Sequence, residues 1–307
     1  MASLWMLFAT FAFAAMGVCV KLASSIYSTS EIVMYRGLIG TLLLLVLLVA
    51  RGGTLRTRFK GEHLWRSLIG VISLWLWFYA IAKLPLAMAV TLNYMAPIFI
   101  AFYMFCMGWW ASRNHVEWPL IGAILLSFVG VTLALQPAFE ARQWVGAAVG
   151  LLSAMLSALA YIQVRRLGRM GEPEYRVVFY FSLTTIVAGL VGALLFEREP
   201  GQAPFHAHSL YGAGLLLATG VLALCAQMAM TRAYRVGKVL VVANLQYTGI
   251  IFSSVWGMVI WGDTFDWHVW LGMVVILVSG VAATFYNTQN TPRGPAVSKT
   301  DPIASEL

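Results

Sequence analysis

Arg36 is the residue of this sequence whose chemistry is hardest to explain as packing. It sits near the start of an apolar stretch that runs on to Ala50. A guanidinium embedded in hydrocarbon costs several kcal/mol unless it pairs, snorkels or meets water. An ion pair with Glu31, a lipid headgroup contact, a latch, and a contact for a substrate carboxylate are the roles open to it. Lys21, at the end of the preceding apolar stretch, has the same choices. A second set is uncharged but still needs partners: Trp77, Tyr79, Asn93, Tyr94, Tyr161, Gln163, Gln227, Asn244, Gln246 and Tyr247. Amides and phenols in hydrocarbon bond to one another or to a ligand, because an orphan donor or acceptor is expensive. Helix-to-helix bonding and substrate contact are the two readings, and together with Lys21, Glu31 and Arg36 these residues are the candidate binding and gating set.

Catalysis finds no constellation to rest on. An intramembrane lipid-modifying enzyme would need His, Asp or Glu clustered near an interface, yet His63, His115, His206, His208 and His268 are scattered over connections and ends. Cys19, Cys106 and Cys225 lie far apart in apolar segments, and no paired Cys or His spacing exists, so neither a disulfide framework nor a metal site is expected. Arg51-Gly52-Gly53 is not a Walker motif, and no nucleotide or other cofactor is expected.

The elements that must position these residues follow from composition. Of 307 residues 61% are hydrophobic and 10% charged, against about 25% charged in soluble domains. About 20 residues of helix cross a hydrocarbon slab of about 30 Å, and ten such spans can be drawn, at 3–22, 31–50, 64–82, 85–107, 118–136, 144–164, 175–196, 209–231, 238–260 and 267–286. The runs are continuous rather than alternating, which argues against a β-barrel, the other fold that satisfies its backbone in lipid. The first span has no basic residue before Lys21 and reads as a retained helix rather than a signal peptide. Pro85 can begin the fourth span, since its missing N–H is an orphan there anyway.

Charge gives the direction. With both termini inside, the inner connections hold Arg51, Arg56, Arg58, Lys60, Arg66, Arg113, Arg165, Arg166, Arg169, Arg176, Arg232, Arg235, Lys238, Arg293 and Lys299, and the outer ones only Lys21, Lys83, Arg142 and Arg198. That asymmetry is the positive-inside signature of a cytoplasmic-membrane protein with an even number of spans. The net charge of +8 then meets lipid headgroups rather than nucleic acid. Trp109, Trp110, Trp118, Trp256, Trp261, Trp267 and Trp270 fall near predicted ends, where indoles anchor. The polar tail, 287–307, reads as a disordered cytoplasmic end.

The chain also repeats itself. Leu92-Asn93-Tyr94-Met95-Ala96-Pro97-Ile98-Phe99 aligns with Leu245-Gln246-Tyr247-Thr248-Gly249-Ile250-Ile251-Phe252, and Gly122, Gly130 and Val131 align with Gly272, Gly280 and Val281. Two matches in the same order point to a duplication, 3–136 and 144–286. Five crossings per half force the second copy to enter the membrane upside down. The expected fold class is therefore all-α integral membrane, ten transmembrane helices as two inverted five-helix repeats, an architecture suited to alternating access. Pro97 should bend the fourth helix. A small-residue stripe, Gly146, Gly150, Ala154 and Ala158 with Ser153 and Ser157, invites a close neighbour. That neighbour belongs to the same chain or to a second copy, which would make a homodimer.

These residues resemble the drug/metabolite transporter superfamily, in its EamA-like branch of ten-helix proteins. The resemblance rests on Gly17-Val18-Cys19-Val20-Lys21, on Glu31-Ile32-Val33-Met34-Tyr35-Arg36-Gly37, on Trp261-Gly262-Asp263 and on the glycine-spaced last helix, Gly272 to Gly280-Val281. It departs from the family at Trp109-Trp110-Ala111-Ser112, where an acidic residue is common, and in carrying Asp263 for Glu. The resemblance implies secondary export or exchange of small polar or amphipathic metabolites, such as amino-acid-like compounds, through a cavity lined by helices one, three, four, six, eight and nine. No Asp or Glu falls in mid-span, which favours exchange over the alternative of proton-coupled efflux. Small-molecule substrate and membrane lipids are the expected partners.

Overall fold

A computed structural model describes residues 2–83, 92–110, 118–135, 144–195, 205–262 and 264–289. Expectations for Pro85, Arg113, His115, Glu117, Arg142, Arg198, Asp263, the Trp109 and Trp110 side chains and the tail from residue 290 lie outside the described residues.

What is described is helical. The helices are α1 (Ala2–Ala23), α2 (Thr29–Arg51), α3 (Lys60–Lys83), α4 (Ala96–Trp110), α5 (Trp118–Leu135), α6 (Trp144–Arg169), α7 (Glu174–Leu195), α8 (Leu210–Val236), α9 (Val239–Leu245), α10 (Thr248–Trp261) and α11 (Trp267–Gln289). Their bounds follow the expected spans to within a few residues, except that α6 and α8 each run about a turn further and that of the expected span 85–107 only the part from residue 92 is described, with α4 beginning at Ala96. The expected span 238–260 is not one rod but two pieces, α9 and α10.

Local chemistry sets the ends. Ser28 caps α2 in a capping box: its hydroxyl accepts from the Glu31 N–H at 3.3 Å, and the Glu31 carboxylate accepts from the Ser28 N–H at 2.8 Å. Gly52, at φ 65°, closes the same helix in the left-handed region that glycine enters without a Cβ clash. Outward faces stay apolar. Leu42, Val46 and Val49 on α2 are 52%, 68% and 83% exposed, a stripe that water would not tolerate at this scale. By length and composition α1, α2, α6, α7, α8 and α9–α10 can each cross a membrane, and α4, α5 and α11 contain shorter apolar runs.

Helices pair across the two halves of the chain. The most extensive contacts join α1 to α8, α3 to α6, α2 to α7 and α5 to α11. Small residues allow the closest approaches. A Cβ on Gly189 of α7 would stand 2.6 Å from the backbone nitrogen of Met34 on α2, and one on Gly130 of α5 would stand 2.7 Å from the carbonyl of Gly272 on α11. The small stripe of α6 meets α3 of the same chain. Ser73 and Ser153 exchange hydroxyl-to-carbonyl bonds of 2.9 and 2.8 Å, and Ser157 lies 2.6 Å from Ser73. The short α9 is the centre of the molecule, with every residue buried and neighbours in α1, α4, α5 and α11.

Candidate functional site

Both fourth-span segments are interrupted at their aligned positions. Before α4 the chain turns at Tyr94-Met95, and between α9 and α10 it turns at Gln246-Tyr247. The bonds there tighten to an i to i−3 pattern, Met95 N–H to Leu92 C=O at 3.0 Å, and Gln246 N–H to Ala243 C=O at 3.1 Å. Pro97 explains the first break, because it cannot donate to the Asn93 carbonyl. The second break has Ile250 at that position and no proline. There the Ile250 N–H reaches only Tyr247, at 3.1 Å. The two breaks meet. The rings of Tyr94 and Tyr247 are 6.0 Å apart, and Gly249 leaves room for the Tyr94 hydroxyl, which would stand 2.9 Å from a Cβ at that position. Thr10 on α1 closes the group with a 3.0 Å bond to Thr248.

A ladder of polar and aromatic groups leads away from that meeting point. The Gln246 amide donates to the Tyr234 hydroxyl at 3.0 Å. Tyr161 and Tyr234 stack at 5.5 Å with an 11° interplanar angle. Three polar atoms in this region are buried with no protein partner: the Tyr247 hydroxyl and both amide atoms of Asn244. Tyr247 is 0% and Asn244 1% exposed. Buried polar atoms normally find a partner, so this grouping has capacity for a ligand. Tyr94, Tyr161, Asn244, Gln246 and Tyr247 of the candidate set are thus brought together, with Asn93 beside the first break.

Other candidates go elsewhere. Tyr79 is 45% exposed on α3. Trp77 is half-buried. Gln163 bonds the Glu62 carboxylate, which also pairs with Arg166 at 2.9 Å near the helix ends. Glu31 does not pair with Arg36: it holds His206, at 2.7 Å through the backbone N–H and 2.6 Å through Nδ1. Lys21 lies over the Trp261 ring at 4.0 Å, a cation–π contact. Arg36 and Gln227 line one crevice between α2, α7 and α8, together with Phe181, Ser182 and Thr185.

Two further groups come to light only in the folded chain. Arg66, counted with the loop charges, is 3% exposed inside α3 and lies over the Phe181 ring at 4.1 Å. Its place four residues after Glu62, within the expected span 64–82, was the available signal. The other is a buried clasp between connections. Glu172, just before α7, accepts from Thr57 at 2.7 Å, His63 at 3.0 Å and Arg176 at 2.9 Å. Burial opposes the Glu172 charge, but those three donors outweigh it and hold the carboxyl below its ordinary range. Burial, joined by the charges of Arg176 and Arg66, keeps the His63 imidazole below its ordinary value despite Glu172. Because spacing so large carries no periodic pattern, nothing in the sequence could have paired these residues.

Comparison with known proteins gives the family. The profile of the EamA-like transporter family matches residues 1–136 and 144–285. The pseudopaline exporter CntI of Pseudomonas aeruginosa is 34% identical over 275 residues, covering 89% of this chain and 92% of that protein. A riboflavin transporter of Vibrio cholerae is 25% identical over 296 residues, 95% of each. A solved crystal structure superposes with a TM-score of 0.77 over 94% of this chain and 99% of its own, at 18% identity, a likeness of fold alone. Apolar helices of membrane-crossing length, a profile match over both halves and relatives that are transporters make this a multi-pass membrane protein, and the chain belongs to the EamA-like transporter family.

Proposed function

We propose that this protein is a secondary transporter that exports or exchanges small polar or amphipathic metabolites by alternating access. The observation that carries the reading is the meeting of two interrupted helices at Tyr94 and Tyr247, among buried polar atoms that the protein itself leaves unpartnered. Discontinuous helices at the interface of two repeats are a recurring way to build a substrate site in a membrane, since the freed backbone and side-chain groups then serve the ligand.

The pairing of helices supports ten crossings in two inverted repeats. Exchanging each helix for its counterpart five spans on turns the α1–α8 contact into the α6–α3 contact, and leaves α2–α7 and α5–α11 unchanged. A two-fold axis in the membrane plane does this. Both halves can then take either of two conformations, which opens the Tyr94–Tyr247 region first to one side and then to the other. The charge asymmetry supports the cell inner membrane with both termini cytoplasmic. Exchange is favoured over a proton relay because, among the described residues, the carboxylates of Glu31, Glu62, Glu172, Glu174 and Asp266 all sit at helix ends or in connections. The pseudopaline relative is an exporter, and the riboflavin relative is a transporter.

The test compares metabolites of cells and medium with and without the gene, then measures flux of the accumulating compound in proteoliposomes. Saturable flux is the expected result. Absence of saturable flux for every compound that changes, under either gradient direction, overturns the reading.

A further inference from the structure

Two arginines of this protein share one aromatic ring and, among the described residues, pair with no acid. Arg66 of α3 places its guanidinium carbon 4.1 Å from the Phe181 ring centre, and Arg36 of α2 places its own 5.9 Å from the same ring. Arg66 is 3% exposed, and its Nε and Nη1 groups donate to nothing. The face of a phenyl ring offsets part of the cost of burying a guanidinium, but it supplies no hydrogen-bond acceptor. Two like charges near one ring also repel each other, and the repulsion grows as water is excluded.

The described carboxylates are all committed or remote. Glu31 is held by Ser28 and His206, Glu62 by Gln163 and Arg166, Glu172 by Thr57, His63 and Arg176 and Glu174 by Arg235. Asp266 is exposed ahead of α11. A buried arginine in a membrane helix ordinarily faces a partner or a functional cavity. Here Arg36 lines a narrow crevice with Phe181 and Gln227, and the Gln227 carbonyl oxygen is itself buried without a donor. Arg66 stands on α3, which packs extensively on α6, the helix that carries Tyr161, the first rung of the ladder that leads to Tyr247. The guanidinium fork matches an oxyanion with two acceptor oxygens, and Gln227 can take a donor from the body of the same molecule.

We propose that Arg36 and Arg66 together bind an oxyanion group, a carboxylate or a phosphate, of the compound that this protein carries. The inference rests on the transporter reading and narrows it to organic anions with an apolar or aromatic body. The negative group discharges the arginine pair, while the remainder lies along Phe181 and Tyr161 toward the interrupted helices.

The full chain is reconstituted in phosphatidylcholine vesicles. Uptake of labelled glutamate, citrate and glycerol 3-phosphate is measured beside uncharged glutamine and leucine and cationic lysine, and thermal unfolding is followed by tryptophan fluorescence with the same compounds. At least one oxyanion compound should enter saturably and raise the unfolding midpoint. Arg36→Gln and Arg66→Gln should each raise its KM at least about tenfold and remove the thermal shift, with Arg66→Lys intermediate because it keeps the charge without the fork. If Arg66→Gln does not fold, Arg36→Gln and Arg66→Lys carry the comparison. Uptake confined to neutral or cationic compounds overturns the proposal and leaves the transporter reading standing, as does anion uptake indifferent to these substitutions. No uptake of any compound counts against both. A midpoint that responds to added phosphatidylglycerol and to no soluble anion assigns the arginines to a lipid headgroup and overturns the proposal.

Discussion

Tyr94 and Tyr247, aligned positions of the two halves, bring their rings to 6.0 Å where two helices are interrupted. The contact places interrupted helical backbone in the buried interior, since Tyr247 is 0% exposed and every residue of α9 is buried. Irregular backbone inside a membrane protein is stable only where protein or a cavity covers it. That condition ties the fold to the function proposed for it.

Tyr247→Phe separates packing from binding. The hydroxyl has no protein partner, so its removal should change the stability of the empty protein by less than about 1 kcal/mol. If it serves the substrate, KM should rise several-fold. Thermal unfolding and flux measured on the same preparation check both expectations, and Tyr94→Phe is the companion variant. Unchanged KM in both returns these residues to packing.

Gly130→Ala should destabilise the protein by roughly 1–3 kcal/mol, because a methyl group there would stand 2.7 Å from the Gly272 carbonyl, backbone that cannot swing aside. Gly122→Ala on the same helix is the control, with nothing within 4 Å of its would-be Cβ. Detergent-stability midpoints of the two variants should differ in that order.

Acid should loosen the clasp at His63 and Glu172. Both groups have folded values below their ordinary ones of 6.5 and 4.5, so the unfolded chain binds more protons than the folded one at acid pH. Stability is therefore fully present above about pH 6.5 and is lost first as His63 is forced to charge, then as Glu172 is neutralised. A pH series of unfolding midpoints should fall through this window. His63→Gln should flatten the upper part of the fall and leave the lower part, which Glu172 governs.

Side-specific labelling tests the crossings. In a cysteine-free background, Arg58→Cys, between α2 and α3, should react with an impermeant maleimide only from the cytoplasmic side. Ser25→Cys, between α1 and α2, should react only from outside. Both positions are exposed. Equal reaction of the two from one side would remove the two-fold arrangement.

Much of this molecule was legible along the chain. The spans follow from apolar run length, because lipid accepts only segments that satisfy their own backbone bonds. The alignment of Leu92–Phe99 with Leu245–Phe252 singled out Tyr94 and Tyr247, whose rings the structure brings to 6.0 Å. Pro97 announced its bend through a missing N–H. The second break did not show, because no proline marks Ile250, and a buried helix can be interrupted by tertiary contacts alone. Glu31 and Arg36 looked like partners, being five apart on one helix, yet the carboxylate is turned away to cap its own helix and hold His206.

The sequence alone determined that this chain lives in a bilayer, where its apolar helices fall and which family it resembles, because hydropathy and repetition are properties of residue order. Only the tertiary structure decided which polar groups are left without partners. Whether Arg66 is a loop charge or a buried cation beside Phe181, and whether Gln163 faces a ligand or Glu62, depends on what distant helices bring within about 3 Å. Hydrogen bonds and ion pairs act over that range, and chain order does not record it.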